Sequence, residues 1–481
     1  MDNKKLIKNY IFNTSYQLLA LIVPLITTPY ISRTLKPHGI GEYSYTYSIV
    51  CYFTLFAILG TSTFGQKEIG ILQDDAIKRT KKFWDIFSFR FITSIIAFLI
   101  YNLYVLLIAK NKIIALIQSL YIINVSFDVV WFFQGMEDFK KIAIRNYILK
   151  ILNIIIIFIY INNENDLWKY TLSLALLTCI GNLSILPFLK KYLIPLKKYT
   201  PKPFNKIKII FQLFIPSAAL QFYSIVDKTM IGQITSNAAQ NGFYEQSEKI
   251  VKMCLMLVTT LPTVILPKIS KAFAEKNTEQ IQKYIYIALN FVWFLGTPLM
   301  FGTISISSIL VPVFFGNGYE SICDILPIMS ILFLIMGFNQ TCGTQFFIAS
   351  GKQNIYTKNI IIGGIVNIIG NFLLITKFGA LGAAISSVLG EIIITLLEFI
   401  YLYNNTSILP LKIIKMGKKY LISSFIMFIS ITLLKKHISI NIFGLIILIF
   451  TGIAIYFIAL LLEKEIFVTY FVKKAKKKFK N

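Results

Sequence analysis

Histidines, acidic residues and paired cysteines are scarce in this chain. Its 481 residues include two histidines and 22 acidic residues, against 48 lysines and arginines. None of the five cysteines stands in a Cys-x-x-Cys pair, so no zinc or disulfide framework is indicated. A Walker motif (GxxxxGK followed by Ser or Thr) is absent, which excludes direct use of ATP through such a site. We therefore expect no metal site, no disulfide and no bound cofactor.

Apolar residues dominate the chain and fall in runs of about 20, the length at which an α-helix spans the hydrocarbon core of a bilayer. The apolar fraction is 56%, and the mean hydropathy is +0.69. Blocks of alternating polarity, which would indicate a membrane β-barrel, are absent. The sequence thus predicts an all-α polytopic membrane protein with about fourteen transmembrane helices.

A basic connector divides these helices into two halves. It covers residues 191–208 and contains no acidic residue. We predict an N-terminal six-helix lobe over residues 1–190, a C-terminal six-helix lobe over residues 209–403, a final helix pair over residues 404–465 and a basic tail over residues 466–481. Lobes with an even number of helices are parallel repeats, and repeats of this kind in transporters enclose a central substrate cavity.

The distribution of Lys and Arg predicts the orientation of the chain. With both termini in the cytoplasm, the inner segments collect 34 Lys and Arg and the outer turns six. This is the positive-inside pattern. It accounts for the net charge of +26 without a nucleic-acid partner, for which the chain has no basic soluble domain or motif. We expect a multi-pass protein with both termini cytoplasmic.

Prolines and charges interrupt the apolar runs. Pro24 and Pro29 interrupt the first run, which indicates a helix covered by protein or lining a water-filled cavity. Each charge would cost about 2.5–3.5 kcal/mol facing lipid at the bilayer centre, so these side chains are expected to face the interior. The embedded cations are Arg33, Arg90, Arg145, Lys150, Lys228, Lys249 and Lys252. The embedded acids are Asp128, Asp227, Glu245, Glu248 and Glu391.

The surplus of cations favours an anionic ligand such as a phosphate. As an alternative, Arg33 and Arg145 extend to lipid headgroups. In the eighth predicted helix, Glu245–Lys249 and Glu248–Lys252 have the i,i+4 spacing of ion pairs. These pairs are either structural bridges or the wall of a polar cavity, and the sequence leaves both interpretations open.

Tyrosines gather at the start of the second predicted helix, at Tyr43, Tyr45 and Tyr47. Tyr244 stands at the same place in the second half, because a Gly-x-Tyr pattern recurs 201 residues later. A wall of tyrosines suits a glycan, which offers apolar ring faces and many hydroxyls. An aromatic belt at the outer interface is the alternative.

Without ATP, the driving force would be an H⁺ or Na⁺ gradient, the consumption of the glycan outside, or both. By their position in the apolar runs, Asp227, Glu245 and Glu391 are the candidate ion-coupling acids. An embedded glycosyltransferase or polymerase would need a catalytic carboxylate on a large loop. The connector carries no acid and the outer turns are short, so we expect a transporter and not an enzyme.

Several motifs resemble those of a known family. The run Pro29-Tyr30-x-x-Arg33-x-Leu35, then Gly39-x-Gly41-x-Tyr43 and Gly65-Gln66-x-Glu68-Ile69, is similar to the N-terminal signature of the polysaccharide repeat-unit flippases (Wzx-type). These flippases form the polysaccharide transporter branch of the superfamily of multidrug, oligosaccharidyl-lipid and polysaccharide exporters. Further similar elements are Gln134-Gly135-x-Glu137 and Val226-Asp227-Lys228-x-Met230-Ile231-Gly232. One departure is Lys36, which stands where the family usually has Gly.

The resemblance implies two six-helix lobes around a central cavity, a final helix pair and alternating access. It implies movement of an undecaprenyl-diphosphate-linked oligosaccharide (O-antigen, capsule or exopolysaccharide) to the outer leaflet of a bacterial plasma membrane. The expected partners are this lipid, the membrane lipids and a downstream polymerase, and the expected state is a monomer. A flippase of the peptidoglycan lipid precursor and an ion-coupled multidrug exporter of the same superfamily remain as alternatives, although the cation surplus disfavours the exporter.

Overall fold

The computed structural model describes residues 3–196, 199–465 and 467–469, with only the backbone described at residues 3–21 and 216–217. Within this part of the chain the secondary structure is helical, without a strand, and the all-α prediction is confirmed. Part of the basic connector (residues 197–198) and nearly all of the predicted tail lie outside the described residues.

The N-terminal helices are α1 (Asn3–Ile58), α2 (Thr61–Ile71), α3 (Ala76–Leu107), α4 (Lys112–Phe127), α5 (Val130–Gly135), α6 (Phe139–Tyr160), α7 (Leu167–Ile185), α8 (Ile207–Thr235) and α9 (Ala238–Val258). The remaining helices are α10 (Thr260–Ala274), α11 (Thr278–Phe315), α12 (Ile322–Ser330), α13 (Leu332–Cys342), α14 (Gln353–Phe378), α15 (Ala380–Asn405), α16 (Pro410–Leu434) and α17 (Ile442–Leu462). A short π-helical segment, Gly343–Ile348, follows α13.

Eleven helical segments of the described chain are long and apolar enough to cross a membrane. Two bent helix pairs, one of them Ala238–Val258 with Thr260–Ala274 at 46°, raise this number to thirteen if each pair is one span. The chain is thus a multi-pass membrane protein, while the count of fourteen stays a prediction. One of the eleven segments, Ile22–Ile71, has 50 residues. At about 1.5 Å per residue it is more than twice as long as one crossing requires.

The long first helix is broken at Lys36, not at its first two prolines. Helical structure continues through Pro24 and Pro29, whereas Lys36 has φ 58° and ψ 171°. Glycine is the residue that normally occupies this region of backbone space, because a Cβ there meets the neighbouring peptide groups. Pro37 follows at once and starts the second part of the helix with its φ already fixed. The interruption expected at Pro24 and Pro29 is therefore absent, and the break at Lys36 lies before Tyr43, in the turn expected between the first two predicted helices.

The chain forms two compact units, Met1–Gly242 and Phe243–Asn481. In the first unit, aromatic residues of α3 and α5 form one core, which includes Phe83, Trp131 and Phe132. In the second unit, α11 contributes Trp293 and Phe294 to a core that also contains residues of α16 and α17. The lobe bounds given by the sequence stay a prediction.

The first unit brings together the two glycines that the sequence repeat relates. Gly41 of α1 and Gly242 of α9 approach so closely that a Cβ built on Gly41 would lie 2.8 Å from the backbone nitrogen of Gly242. The same atom would overlap the carbonyl oxygen of Ala238, and a Cβ on Gly242 would overlap that of Pro37. Glycine is required on both helices because backbone meets backbone here.

Candidate functional site

A polar cavity of about 180 Å³ lies among the apolar helices of the first unit. Three helices supply its walls: α1, α4 and α7. The polar lining residues are Tyr47, Cys51, Thr54, Tyr121, Asn124, Asp128, Thr178 and Asn182. Hydroxyl, amide and carboxylate groups therefore face this cavity. The helices that supply them are apolar enough to be membrane spans.

A buried ion pair stands at the wall of this cavity. Arg90 of α3 is 1% exposed, and its guanidinium donates to the Asp128 carboxylate Oδ2 at 3.0 Å and to the Asp128 carbonyl oxygen at 3.0 Å. Asp128 occupies the break between α4 and α5, where its other carboxylate oxygen accepts from the Val130 amide at 3.0 Å. Removing the Asp128 carboxylate would leave the Arg90 charge buried and uncompensated, which typically costs about 3–5 kcal/mol, whereas the Asp128 side chain is itself 28% exposed.

A second cation is hydrogen-bonded to the amides that line the cavity. Arg145 of α6 donates to the side-chain oxygen of Asn182 at 3.3 Å, and Asn182 donates to that of Asn124 at 3.2 Å. Arg145 also contacts the neighbouring Asn146 side chain at 2.8 Å. Lys150 lies further along α6 and is half-buried. The structure thus connects α6, α7 and α4 by side-chain hydrogen bonds inside the apolar region.

The tyrosines of α1 divide between two faces of the helix. The rings of Tyr43 and Tyr47 stack at 5.5 Å, and Tyr47 meets Tyr121 of α4 edge-on at 5.3 Å. Tyr45 lies on the other face, where its hydroxyl accepts from Gln233 of α8 at 3.0 Å. Residues four apart share a helix face and residues two apart do not. The structure therefore brings Tyr43 and Tyr47 together and separates Tyr45 from them.

The remaining candidates of the first unit lie on α1 and α8. Arg33 is exposed on α1. Asp227 is 7% exposed on α8, and Lys228 beside it is partly buried. The next residue, Thr229, bonds the hydroxyl of Ser48 at 2.9 Å. A hydroxyl contact between α1 and α8 therefore lies next in the sequence to the adjacent pair of opposite charges.

In the second unit, the ion pairs expected on α9 are present. Lys252 and Glu248 are 2.9 Å apart, and Lys249 and Glu245 are 3.9 Å apart. The Lys252 side chain is 61% exposed, so its ion pair contributes little to stability if that surface is hydrated. Tyr244 is 3% exposed, and its hydroxyl lies 3.0 Å from that of Ser387 on α15.

A buried carboxyl pair on α15 extends the set of candidates. Glu391 is 3% exposed and accepts a hydrogen bond from Asn339 of α13 at 2.6 Å. Glu398, two turns further along the same face, is completely buried, and neither of its carboxylate oxygens has a hydrogen-bond partner among the described residues. Burial without a partner is costly for a charged carboxylate. The sequence reasoning missed Glu398, although the criterion that selected Glu391, an acid within an apolar run, applies to it equally.

Groups of three or more His, Cys, Asp and Glu that could bind a metal ion do not occur in the described part of the chain. Among the charged candidates, Arg90, Lys249 and Lys252 stand in ion pairs with acids, and Arg145 and Glu391 are hydrogen-bonded to amide side chains. Such an arrangement can bind ligands of either charge and can exchange partners when helices move.

Comparisons with known proteins agree on the kind of molecule. Residues 6–273 match the family described as "Polysaccharide biosynthesis protein". The chain is 23% identical over 407 residues to a candidate O-antigen transporter of Escherichia coli (strain K12), and the match covers 83% of this chain and 97% of that protein. It is 25% identical over 411 residues to the capsular polysaccharide biosynthesis protein CapF of Staphylococcus aureus, and the match covers 83% of this chain and 99% of that protein.

The fold is similar to that of a solved transporter. The lipid II flippase MurJ, in its inward closed conformation, superposes with a TM-score of 0.77 at 18% identity. The superposition covers 94% of this chain and 98% of the MurJ chain. At this identity the likeness establishes the fold, and it accounts for nearly the whole length of both chains.

Proposed function

We propose that this chain, which belongs to the polysaccharide biosynthesis protein family, is a flippase for lipid-linked oligosaccharide repeat units. The unit is carried on undecaprenyl diphosphate and moves from the cytoplasmic to the outer leaflet of a bacterial plasma membrane. The glycan belongs to O-antigen, capsule or exopolysaccharide. The protein acts by alternating access, as a monomer with both termini cytoplasmic, and delivers its product to a downstream polymerase without catalysing a reaction.

The observation that carries this proposal is the polar cavity within the apolar helices of the first unit, whose wall residues are hydrogen-bonded to two arginines. Arg90 donates to the wall residue Asp128 and Arg145 to the wall residue Asn182, and the lining offers tyrosine rings, hydroxyls and amides. A glycan is recognised by aromatic faces and by hydrogen-bonding groups, and a diphosphate is recognised by arginine. Residues of this kind are expensive inside a membrane, and they are typical of substrate pathways.

Coupling to an ion gradient would use the embedded acids. Glu391, held by Asn339 in the second unit, is the best-placed candidate, and Asp227 and Glu245 remain further ones. A carboxylate that gains and loses H⁺ or Na⁺ changes which conformation is favoured, because the bound and free forms have different partners. The gradient then biases the cycle toward export.

The test is the leaflet in which the lipid-linked oligosaccharides reside. In a strain that lacks the gene, complete diphosphate-linked units should accumulate on the cytoplasmic side, protected from a glycosidase or lectin added to intact spheroplasts. Complementation with Arg90→Gln should fail to restore export, while Lys283→Gln, which removes an exposed cation outside this cavity, should restore it. Normal exposure of the units in the deletion strain would overturn the proposal.

A second candidate is a flippase for the peptidoglycan lipid precursor. The superposition on MurJ over nearly the whole chain supports it. This function predicts that loss of the protein traps the peptidoglycan precursor inside and leaves polysaccharide export intact. The same spheroplast assay, run with probes for both lipids, distinguishes the two substrates.

A further inference from the structure

Helix α1 packs against α8 and against the first turn of α9. Gly41 and Gly242 meet there through their backbones. Further along the same contact, the hydroxyls of Ser48 and Tyr52 lie 2.9 Å and 3.1 Å from the hydroxyl of Thr229 on α8. The contact therefore combines backbone packing at one end with hydrogen bonds at the other.

One amide side chain is buried in this contact without a partner. Asn241 of α9 is completely buried, and neither its side-chain oxygen nor its side-chain nitrogen is hydrogen-bonded to a residue that the structure describes. Its nitrogen faces Gly232 of α8, where an added Cβ would lie 2.7 Å away, and the Tyr45 ring packs on the same glycine. Because Asn241 precedes Gly242 in the chain, the amide lies directly beside the backbone contact.

A buried amide of this kind makes the packed arrangement less favourable. In water an amide forms hydrogen bonds through both of its polar atoms, and burial without partners forfeits these bonds. A leucine of similar size would occupy the same space without this cost. Asn241 therefore opposes the close contact that its neighbour Gly242 permits.

This opposition matters if the contact has to open. In alternating access, the helices that close one side of a transporter separate once in every cycle. A contact held by backbone packing and hydrogen bonds alone would make the open state rare, because the population of each state follows from their free-energy difference. Separation of α1 from α9 would let water reach the Asn241 amide and supply the missing partners.

We propose that Asn241 keeps the contact between α1 and the α8–α9 corner (residues 232–242) reversible during transport. Its amide without partners raises the free energy of the packed arrangement, and opening to water removes this cost. The inference rests on the proposed function for the transport step that it describes. It adds a residue that neither the sequence motifs nor the polar cavity indicated.

Asn241→Leu tests this role, since it removes the amide and keeps a side chain of similar size. The purified full-length variant should unfold in detergent at or above the native midpoint, whereas a stabilising amide would require a lower midpoint. In the deletion strain it should export the lipid-linked units about 5–150-fold more slowly than the native chain, the range expected for a buried amide without partners. The control, Asn165→Leu, makes the same exchange at an exposed position of the same unit and should leave both measurements unchanged.

A second substitution distinguishes tighter closure from general damage. Thr229→Val removes the hydroxyl that contacts both Ser48 and Tyr52, and so loosens the contact from its other end. Combined with Asn241→Leu, it should return export toward the native rate. A variant that exports slowly because its fold is damaged would not recover when a further contact is removed.

The inference is overturned if Asn241→Leu lowers the unfolding midpoint, exports at the native rate or is not rescued by Thr229→Val. If Asn241→Leu does not fold, Asn241→Met takes its place, because the flexible methionine side chain adapts to the available space. The unfolding midpoint does not depend on the substrate, and the native chain is assayed in the same strain. Failure of the native chain to restore export would overturn the proposed function instead.

Discussion

Adding a single methyl group at Gly41 or Gly242 should separate two helices that now touch through their backbones. A Cβ on Gly41 would overlap the carbonyl oxygen of Ala238, and a Cβ on Gly242 would overlap that of Pro37. Both obstacles are main-chain atoms, which cannot turn away as a side chain can. Overpacking of this kind typically costs about 1–3 kcal/mol, which corresponds to about a 5–150-fold change in an equilibrium. We expect Gly41→Ala and Gly242→Ala each to lower the thermal unfolding midpoint and to impair glycan export.

Gly39→Ala is the matched control for this prediction. Gly39 lies two residues from Gly41 on the same helix, and a Cβ there would meet only the Leu35 Cβ, at an ordinary 3.4 Å. Alanine is favoured over glycine inside a helix by about 0.5–1 kcal/mol, so this variant should be as stable as the native protein or more so. The unfolding midpoint in detergent and the complementation of a deletion strain are measured for all three variants.

The reasoning would be refuted if Gly41→Ala and Gly242→Ala matched Gly39→Ala in both measurements. That result would mean that the two helices do not approach closely in the protein that unfolds in the assay. A lower midpoint with normal export would limit the contact to a structural role. Loss of export at a normal midpoint would show that the contact matters during transport more than for folding.

Three further predictions concern Lys36, the Arg90–Asp128 ion pair and Glu391. Lys36→Gly should raise the unfolding midpoint, because it relieves about 1–3 kcal/mol of backbone strain at φ 58°, while Lys36→Ala should not. Asp128→Asn, which leaves Arg90 charged and buried, should destabilise by about 3–5 kcal/mol, and Arg90→Gln should destabilise by less because Asp128 is 28% exposed. The double variant should lose much less than the sum of the two, as measured by chemical unfolding, and additive losses would contradict this prediction. Glu391→Gln should leave the midpoint near that of the native protein but abolish the response of transport to an imposed H⁺ or Na⁺ gradient. The exposed Asp324→Asn is its control, and an unchanged response in Glu391→Gln would remove this acid from the coupling mechanism.

The class of the protein and several local pairings could be predicted from the sequence. Runs of apolar residues near 20 determine a polytopic helical protein, because hydropathy along one helix suffices to place it in a bilayer. The Glu248–Lys252 pair followed from spacing, since residues four apart on one helix are neighbours whatever surrounds them. The resemblance of the motifs indicated the family that the comparison with residues 6–273 then showed.

The position of the break in the first helix depended on more than the prolines. Sequence rules assign an interruption to proline because its ring removes a hydrogen bond. Pro24 and Pro29 nevertheless remain within helix, and the chain breaks at Lys36. Lys36 lies in the turn expected between the first two predicted helices, where the family motif usually has glycine.

Contacts between helices were decided only by the tertiary structure. Arg90 and Asp128 are 38 residues apart, and their ion pair depends on how α3 and α4 are rotated against each other. The same rotation decides that Tyr45 faces α8 while Tyr47 faces the polar cavity. The sequence by itself determined which residues are too polar for lipid, because that is a property of each side chain. Their partners are a property of packing, in which helices distant along the chain bring single faces together.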